Sequence, residues 1–315
     1  MKILITGIHG FVGTNLCNYL KDRHEVYGLD IVDTPIAKVE KIFTWNELEN
    51  LPQIDIIIHL AGKAHDLKNN SLFQEYFKVN TELTIRIYNW FIKSKAKKFI
   101  FFSSVKAVAD IVDGDILTEE AEAKPVGPYG ESKRQAELYI LKNIKDISTT
   151  DSDTERKSTY ILRPSMIHGK GNKGNLNLLY AVVQKGIPWP LGSLENKRSF
   201  TSIENLQFMI NGLMEFDVVS GIYNISDDDP VSTNEIIRIM SDVMGKSVKI
   251  MRINKSLIRF FALLGTLLRL PFNKERLKKL SENYVVSNTK IKKALNIERL
   301  PVSASEGLRQ TLRNF

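Results

Sequence analysis

The 315-residue sequence has a single cysteine, Cys17. One thiol cannot close an intramolecular disulfide, so none braces the fold, which suits a reducing compartment. A cytoplasmic location is expected. Cys17 lies in the apolar pattern of the first helix and is expected to fill core rather than to react. The chain has no uninterrupted apolar stretch of the roughly 20 residues that a membrane helix needs. The nearest approach, Leu257 to Leu270, contains Arg259 and Arg269. The opening Met1 to Gly7 holds too short an apolar run for a signal peptide. A basic arm or stripe is also missing. The net charge of +8 is spread out, with only small clusters such as Lys95, Lys97 and Lys98. No nucleic-acid partner is therefore expected. A moderate basic excess fits an anionic ligand such as a nucleotide diphosphate. No repeat or low-complexity tract is found, and no metal site is expected.

What is present reads as alternating strands and helices. Lys2–Thr6, Glu25–Asp30, Asp55–Leu60, Lys98–Ser103 and Thr159–Arg163 are short apolar runs predicted as strands. Phe11–Leu20, Ser71–Lys93 and Gly130–Lys142 have helical spacing. Asn143 to Ser158 is polar and reads as a surface loop. This alternation predicts an α/β fold with a Rossmann-type, doubly wound parallel sheet over residues 1–165. Residues 166–315 are expected to form mainly a smaller α+β substrate domain, interleaved with the first near the site. Its predicted helices are Leu176–Lys185, Ile203–Phe216, Thr233–Met244 and Ser303–Leu312. Its short strands are placed near Gly221–Ile225 and Ser247–Ile253.

Between the first strand and first helix runs Thr6-Gly7-Ile8-His9-Gly10-Phe11-Val12-Gly13. The spacing Gly-x-x-Gly-x-x-Gly supplies a residue tolerant of positive φ and room for a pyrophosphate. It also allows close packing of helix on strand. The helix N-terminus adds free N–H groups and a positive dipole end. Asp30 ends the second strand, 17 positions after Gly13. An acid there accepts hydrogen bonds from ribose hydroxyls and repels a 2′-phosphate, so NAD is expected over NADP. Asp33 is the fallback.

The second signal is Tyr129-Gly130-Glu131-Ser132-Lys133. Four residues apart on a helix, Tyr129 and Lys133 share a face. A tyrosine that exchanges protons near neutral pH must be moved from about 10 by about three units, or roughly 4 kcal/mol. A cation at about 4 Å in an effective dielectric near 20 supplies roughly that amount. The predicted fourth strand runs into Ser103-Ser104, at the sheet edge where ligands bind. A serine there can hold the hydroxyl that Tyr129 deprotonates.

With these motifs the sequence resembles the extended short-chain dehydrogenase/reductases, in particular the NAD-dependent sugar epimerase/dehydratase group. The resemblance spans nearly the whole chain. It rests on Gly7, Gly10, Gly13, Asp30, His59-Leu60-Ala61-Gly62, Asn80, Ser103-Ser104, Tyr129-x-x-x-Lys133 and Leu162-Arg163-Pro164. It implies that Tyr129 is the acid/base, that Lys133 binds the nicotinamide ribose and lowers the tyrosine pKa, and that Ser104 orients the sugar hydroxyl. Leu60, Ala61 and Gly62 would pass behind the cofactor and Asn80 would pin the local backbone. Phe11, Val12 and Ser103 complete the cofactor set. Gly174-Asn175-Leu176 and Arg198-Ser199-Phe200 resemble the diphosphate contacts, with Asn175, Leu176 and Arg198 on the substrate side.

Departures from the family pattern narrow the chemistry. Sugar 4,6-dehydratases carry an Asp-Glu pair directly after the catalytic Ser or Thr; here Val105-Lys106 stands there. With no acid to expel a C6 hydroxyl, dehydration is not expected. Lys106 is expected near the sugar or out in solvent, and His168 to touch substrate or to serve structure. The resemblance is closest to members of surface-polysaccharide synthesis. Two C4 chemistries stay open: a UDP-hexose or UDP-N-acetylhexosamine 4-epimerase, placed slightly ahead, and a UDP-4-keto-6-deoxy-hexosamine 4-reductase. A remoter alternative is a non-catalytic NAD-binding regulator. A homodimer through helices that include the Tyr-Lys helix is implied by the resemblance. Leu257 to Leu280 is apolar and basic. It reads as a partly buried helix pair ahead of a membrane-surface segment.

Overall fold

The computed structural model describes residues 1–63, 73–147, 156–172, 176–268, 270 and 272–315. Seven strands form one parallel sheet. They are β1 (Lys2–Thr6), β2 (Glu25–Asp30), β3 (Lys41–Thr44), β4 (Ile56–His59), β5 (Lys98–Phe102), β6 (Ser158–Pro164) and a strand at Gly221–Ile225. Their order is β3-β2-β1-β4-β5-β6 and then Gly221–Ile225. Each run is apolar because both faces are covered. Ile3, Ile5, Ile56, Ile58, Ile100 and Phe102 point to one core. The alternate residues Leu4, Ile57, Phe99 and Phe101 point to the other. The first core is closed by α1 (Phe11–Leu20) and by the helix Ile203–Glu215, the second by α3 (Leu83–Lys93) and α4 (Gly127–Ile147). Cys17 is buried in the first core.

The helix and last strand just described are α6 (Ile203–Glu215) and β9 (Gly221–Ile225), and the second layer contains β7 (Met166–His168), α5 (Leu176–Gln184) and β8 (Phe200–Ser202). It continues with α7 (Thr233–Met244), α8 (Lys255–Leu267), α9 (Lys274–Ser281), α10 (Thr289–Ala294) and α11 (Ala304–Leu312). Strands β7 and β8 pair with each other in parallel, apart from the main sheet. A third apolar cluster, including Leu176, Trp189, Ile237, Ile258 and Leu308, is its core.

Several expectations are corrected. Gly221–Ile225 does not belong to a separate second layer. It pairs with β6 from Tyr160↔Gly221 to Pro164↔Ile225 and closes the first sheet. Ser247–Ile253 is no strand: only isolated bridges, Trp189↔Ile250 and Leu191↔Arg252, hold it. Residues 143–147 are helical, not loop. The helix expected over Ser71–Lys93 is interrupted by a π turn at Phe77–Glu82, and its first two residues lie outside the described set. Leu257 to Leu280 contributes to the pair α8–α9, as expected. Among the described residues, no helix is long and apolar enough to cross a membrane.

A buried ion pair ties α4 to the sheet. Glu137 accepts from Arg163 through Nε (2.8 Å) and Nη2 (2.7 Å), and from the Ser103 hydroxyl at 2.6 Å. Arg163 is only 2% exposed and Glu137 fully buried. Removing one partner leaves an uncompensated buried charge. Glu137→Ala should therefore lower unfolding stability by about 3–5 kcal/mol in urea denaturation. A loss under about 1 kcal/mol, the size of an ordinary substitution, would show that α4 is held by apolar packing alone.

Candidate active site

The site lies at the carboxyl ends of the strands, where β1 and β4 mark the reversal of strand order. Gly7 sits at φ +69°, and a Cβ there would lie 2.9 Å from the backbone N and Cα of Ala61. A Cβ on Gly13 would lie 2.2 Å from the Gly7 carbonyl oxygen. The loop is thus folded as tightly as its glycines allow. Gly10 donates its N–H to the Gly7 carbonyl at 3.0 Å and leads into α1. No side chain caps α1 and its first turn holds no acid, so the N-terminal N–H groups and dipole face an anion without competition. Phe11 and Val12 occupy that first turn and are partly buried. This cradle fits the pyrophosphate of a dinucleotide.

Asp30 ends β2 beside the same loop. Its Oδ2 accepts from the His9 backbone N–H at 3.0 Å and faces His9 Nδ1 at 3.1 Å. Its Oδ1 accepts from Ile31 N at 2.7 Å. His9 Nε2 faces the Thr34 carbonyl at 2.9 Å. His9, one of the residues between the motif glycines, thus braces the acid.

Across the switch point, Thr6 Oγ1 accepts from Leu60 N and Ala61 N at 3.2 and 3.0 Å. Asn80 accepts from Lys63 N at 2.7 Å and donates to the Lys63 carbonyl at 3.2 Å and to Ser132 Oγ at 3.0 Å. The π turn makes this reach local. It sets Asn80 and Thr81 toward α4, where Thr81 also donates to the Ser132 carbonyl at 2.9 Å. A Cβ on Gly62 would come within 3.0 Å of both Asn80 Oδ1 and Lys133 Nζ, so glycine lets lysine and loop meet.

Ser104, Tyr129 and Lys133 converge here. Tyr129 hydrogen-bonds Ser104, whose hydroxyl also accepts from Lys106 N at 3.2 Å and caps the turn Val105–Ala107. The Tyr76 ring meets that of Tyr129 edge-on at 6.5 Å. Burial pushes the Tyr129 phenol above its ordinary value; the Ser104 bond opposes this and Tyr76 adds to it. Lys133 donates to the Phe102 carbonyl at 2.8 Å and is 5% exposed. Burial brings it down to about 8, with Glu137 pulling the other way. The ammonium is held at the Phe102 carbonyl, and the phenol's environment is set by burial.

The remaining candidates divide. Ser103 turns its hydroxyl into the core, onto Glu137, so the hydroxyl is not presented to a cofactor. The Lys106 side chain is 41% exposed. It pairs with Asp110 Oδ1 at 2.5 Å and lies 5.0 Å over the Tyr284 ring. Arg198 is bridged to Val231 and Tyr284 by backbone pairing, and burial lowers its pKa. Tyr284, unremarked in the sequence, therefore joins Lys106 to Arg198, and its hydroxyl donates to the Ala109 carbonyl at 2.7 Å. The Leu176 side chain is 2% exposed and packs in the third core, which leaves only its backbone for a ligand. Asn175 lies outside the described residues. His168 is fully buried, joining β7 to α11 through Thr311 at 2.8 Å, which is a structural position.

The profile of the NAD dependent epimerase/dehydratase family matches residues 3–226. The chain belongs to this family. As an epimerase/dehydratase-family enzyme it uses NAD, and the glycine cradle is where that cofactor fits. A UDP-glucose 4-epimerase of Vibrio cholerae is 32% identical over 259 residues, covering 78% of this chain and 76% of that protein. A UDP-2-acetamido-2,6-beta-L-arabino-hexul-4-ose reductase of Pseudomonas aeruginosa is 30% identical over 179 residues, 56% of this chain and 38% of that protein. The structure of a UDP-glucuronic acid 4-epimerase from Bacillus cereus in complex with NAD has a TM-score of 0.72 at 20% identity. It covers 100% of this chain and 98% of that one.

The position of Asp30 yields a test of the ribose contact. Asp30→Ala in this family member should weaken NADH binding by about 1.5–3 kcal/mol, roughly tenfold to a hundredfold, and narrow its margin over NADPH. Calorimetric titration that found the wild-type protein binding NADPH more tightly than NADH would remove Asp30 from that role.

Proposed function

We propose that the protein oxidises and reduces C4 of a UDP-linked hexose or N-acetylhexosamine, as a 4-epimerase. The observation that carries this reading is the convergence of Ser104, Tyr129 and Lys133 at the end of β5, next to the glycine cradle. Bound NAD supplies a hydride acceptor, and in its oxidised form a positive ring. Tyr129 takes the proton of the C4 hydroxyl, and Ser104 holds that oxygen as the proton leaves. Lys133 binds the nicotinamide ribose, and its charge then opposes the burial that keeps the phenol protonated. Asn80, Leu60, Ala61 and Gly62 keep the loop behind the cofactor in place. Arg198 and the segment at Asn175 hold the diphosphate. The sugar must turn over between the two hydride transfers, so the diphosphate is held firmly and the sugar loosely.

Dehydration is disfavoured by Val105-Lys106 where an acid pair would be needed. A specific observation favours a second reading, a UDP-4-keto-6-deoxy-hexosamine 4-reductase. Lys106 is a cation two residues after Ser104, paired with Asp110 and lying over the Tyr284 ring, and a cation there suits a sugar held in one orientation. The epimerase stands first because the Vibrio relative is matched over most of both chains, the Pseudomonas reductase over much less. A homodimer is proposed through α4 and the helix before it, where Leu138 and Phe73 stand exposed.

The deciding experiment uses purified protein without added cofactor. The epimerase should interconvert UDP-GlcNAc and UDP-GalNAc, or the corresponding hexoses, with NAD carried from the cell. Tyr129→Phe should abolish turnover while NAD still binds. If nothing turns over until NADH and a UDP-4-keto-6-deoxy sugar are supplied, the reductase replaces the epimerase. If no UDP-sugar of either kind reacts, both fail.

A further inference from the structure

Helix α8 has an inner and an outer face. Ile258, Ala262 and Gly265 are buried against the second layer, as is Leu277 of α9. The opposite face is apolar and uncovered: Phe260 is 53% exposed, Leu263 47%, Leu267 78% and Leu268 63%. At 100° per residue Phe260, Leu263 and Leu267 point directly away from Ile258, and Arg259 and Lys255 fall on one flank. The platform is rigidly built. A Cβ on Gly265 would lie 1.8 Å from the Phe272 carbonyl oxygen, so α8 and α9 are joined as closely as backbone permits. Lys274 N donates to Thr266 Oγ1 at 3.0 Å, and Asn254 and Asn273 cap the two helices.

Charge says what covers this face. From Arg252 to Glu282 the sequence holds eight Lys or Arg and two Glu. Lys255, Arg259, Lys274, Arg276 and Lys278 are all exposed. A second copy on the same face across a two-fold axis would set these cations against themselves. An exposed apolar strip edged by cations is the pattern of a helix lying in a bilayer interface, with the long basic side chains reaching the headgroups. We propose that the α8–α9 hairpin docks the protein on an anionic lipid bilayer, with Phe260, Leu263 and Leu267 inserted. This docking is independent of which sugar is the substrate.

The full-length protein is tested by flotation with vesicles of pure phosphatidylcholine and of three parts phosphatidylcholine to one part phosphatidylglycerol. It should float with the anionic vesicles alone and be released by high salt, which screens the attraction. Arg259→Gln should lower the partition coefficient about fivefold. The double change Phe260→Glu, Leu267→Glu should lower it by more than about tenfold, with thermal midpoint and sugar turnover unchanged. Failure of the wild-type protein to float with anionic vesicles at low salt overturns the proposal. So does equal floating of the double variant while it remains folded. If the double variant instead loses self-association in sedimentation while vesicles are ignored by both proteins, the face belongs to a second copy and the proposal falls.

Discussion

A lysine ammonium taken almost wholly out of water is the constraint on which the site depends. Lys133 loses solvation, and the Phe102 carbonyl at 2.8 Å, the Phe101 ring at 5.1 Å and Glu137 one helical turn further along α4 compensate. Glu137 is in turn satisfied by Arg163 of β6 and Ser103 at the end of β5. The rotation and depth of α4 are fixed by this chain of charges. Tyr129, four residues before Lys133, must then meet Ser104, and Ser132 must meet Asn80. Gly62 follows from the same constraint, because a side chain there would collide with the lysine.

The same burial acts on Tyr129 and Lys133 together. It raises the phenol and lowers the ammonium to about 8. An added positive charge close to the phenol is what would bring it toward neutrality. In a family that uses NAD, the oxidised ring would supply that charge, and on the function proposed here cofactor binding would then be coupled to proton transfer.

Local signals were legible in the sequence. The glycine loop, Asp30, the Tyr-Lys spacing and six of the seven main-sheet strand segments announce themselves within windows of a few residues. What escaped depends on distant partners. The short edge strand Lys41–Thr44 has too little apolar pattern to register. Gly221–Ile225 was seen as a strand, but its place beside β6 is a matter of topology. The π turn is invisible to helical periodicity because Asn80, Thr81 and Ser132 create it together. Glu137 reads as an ordinary helix acid until Arg163 is placed against it. His9, Tyr76 and Tyr284 matter only through partners that sequence does not bring near. Motif position alone does not tell which way a side chain turns: the Ser103 hydroxyl goes to Glu137 and the Leu176 side chain to the third core.

The central claim is that Tyr129 reaches its working ionisation only when NAD is bound. Ultraviolet difference titration of the wild-type protein against Tyr129→Phe, with and without saturating NAD, isolates that phenol. The phenol should ionise above its ordinary value in the cofactor-free protein and at clearly lower pH once NAD binds. An identical midpoint in both states, or a midpoint already near neutrality without cofactor, would contradict it.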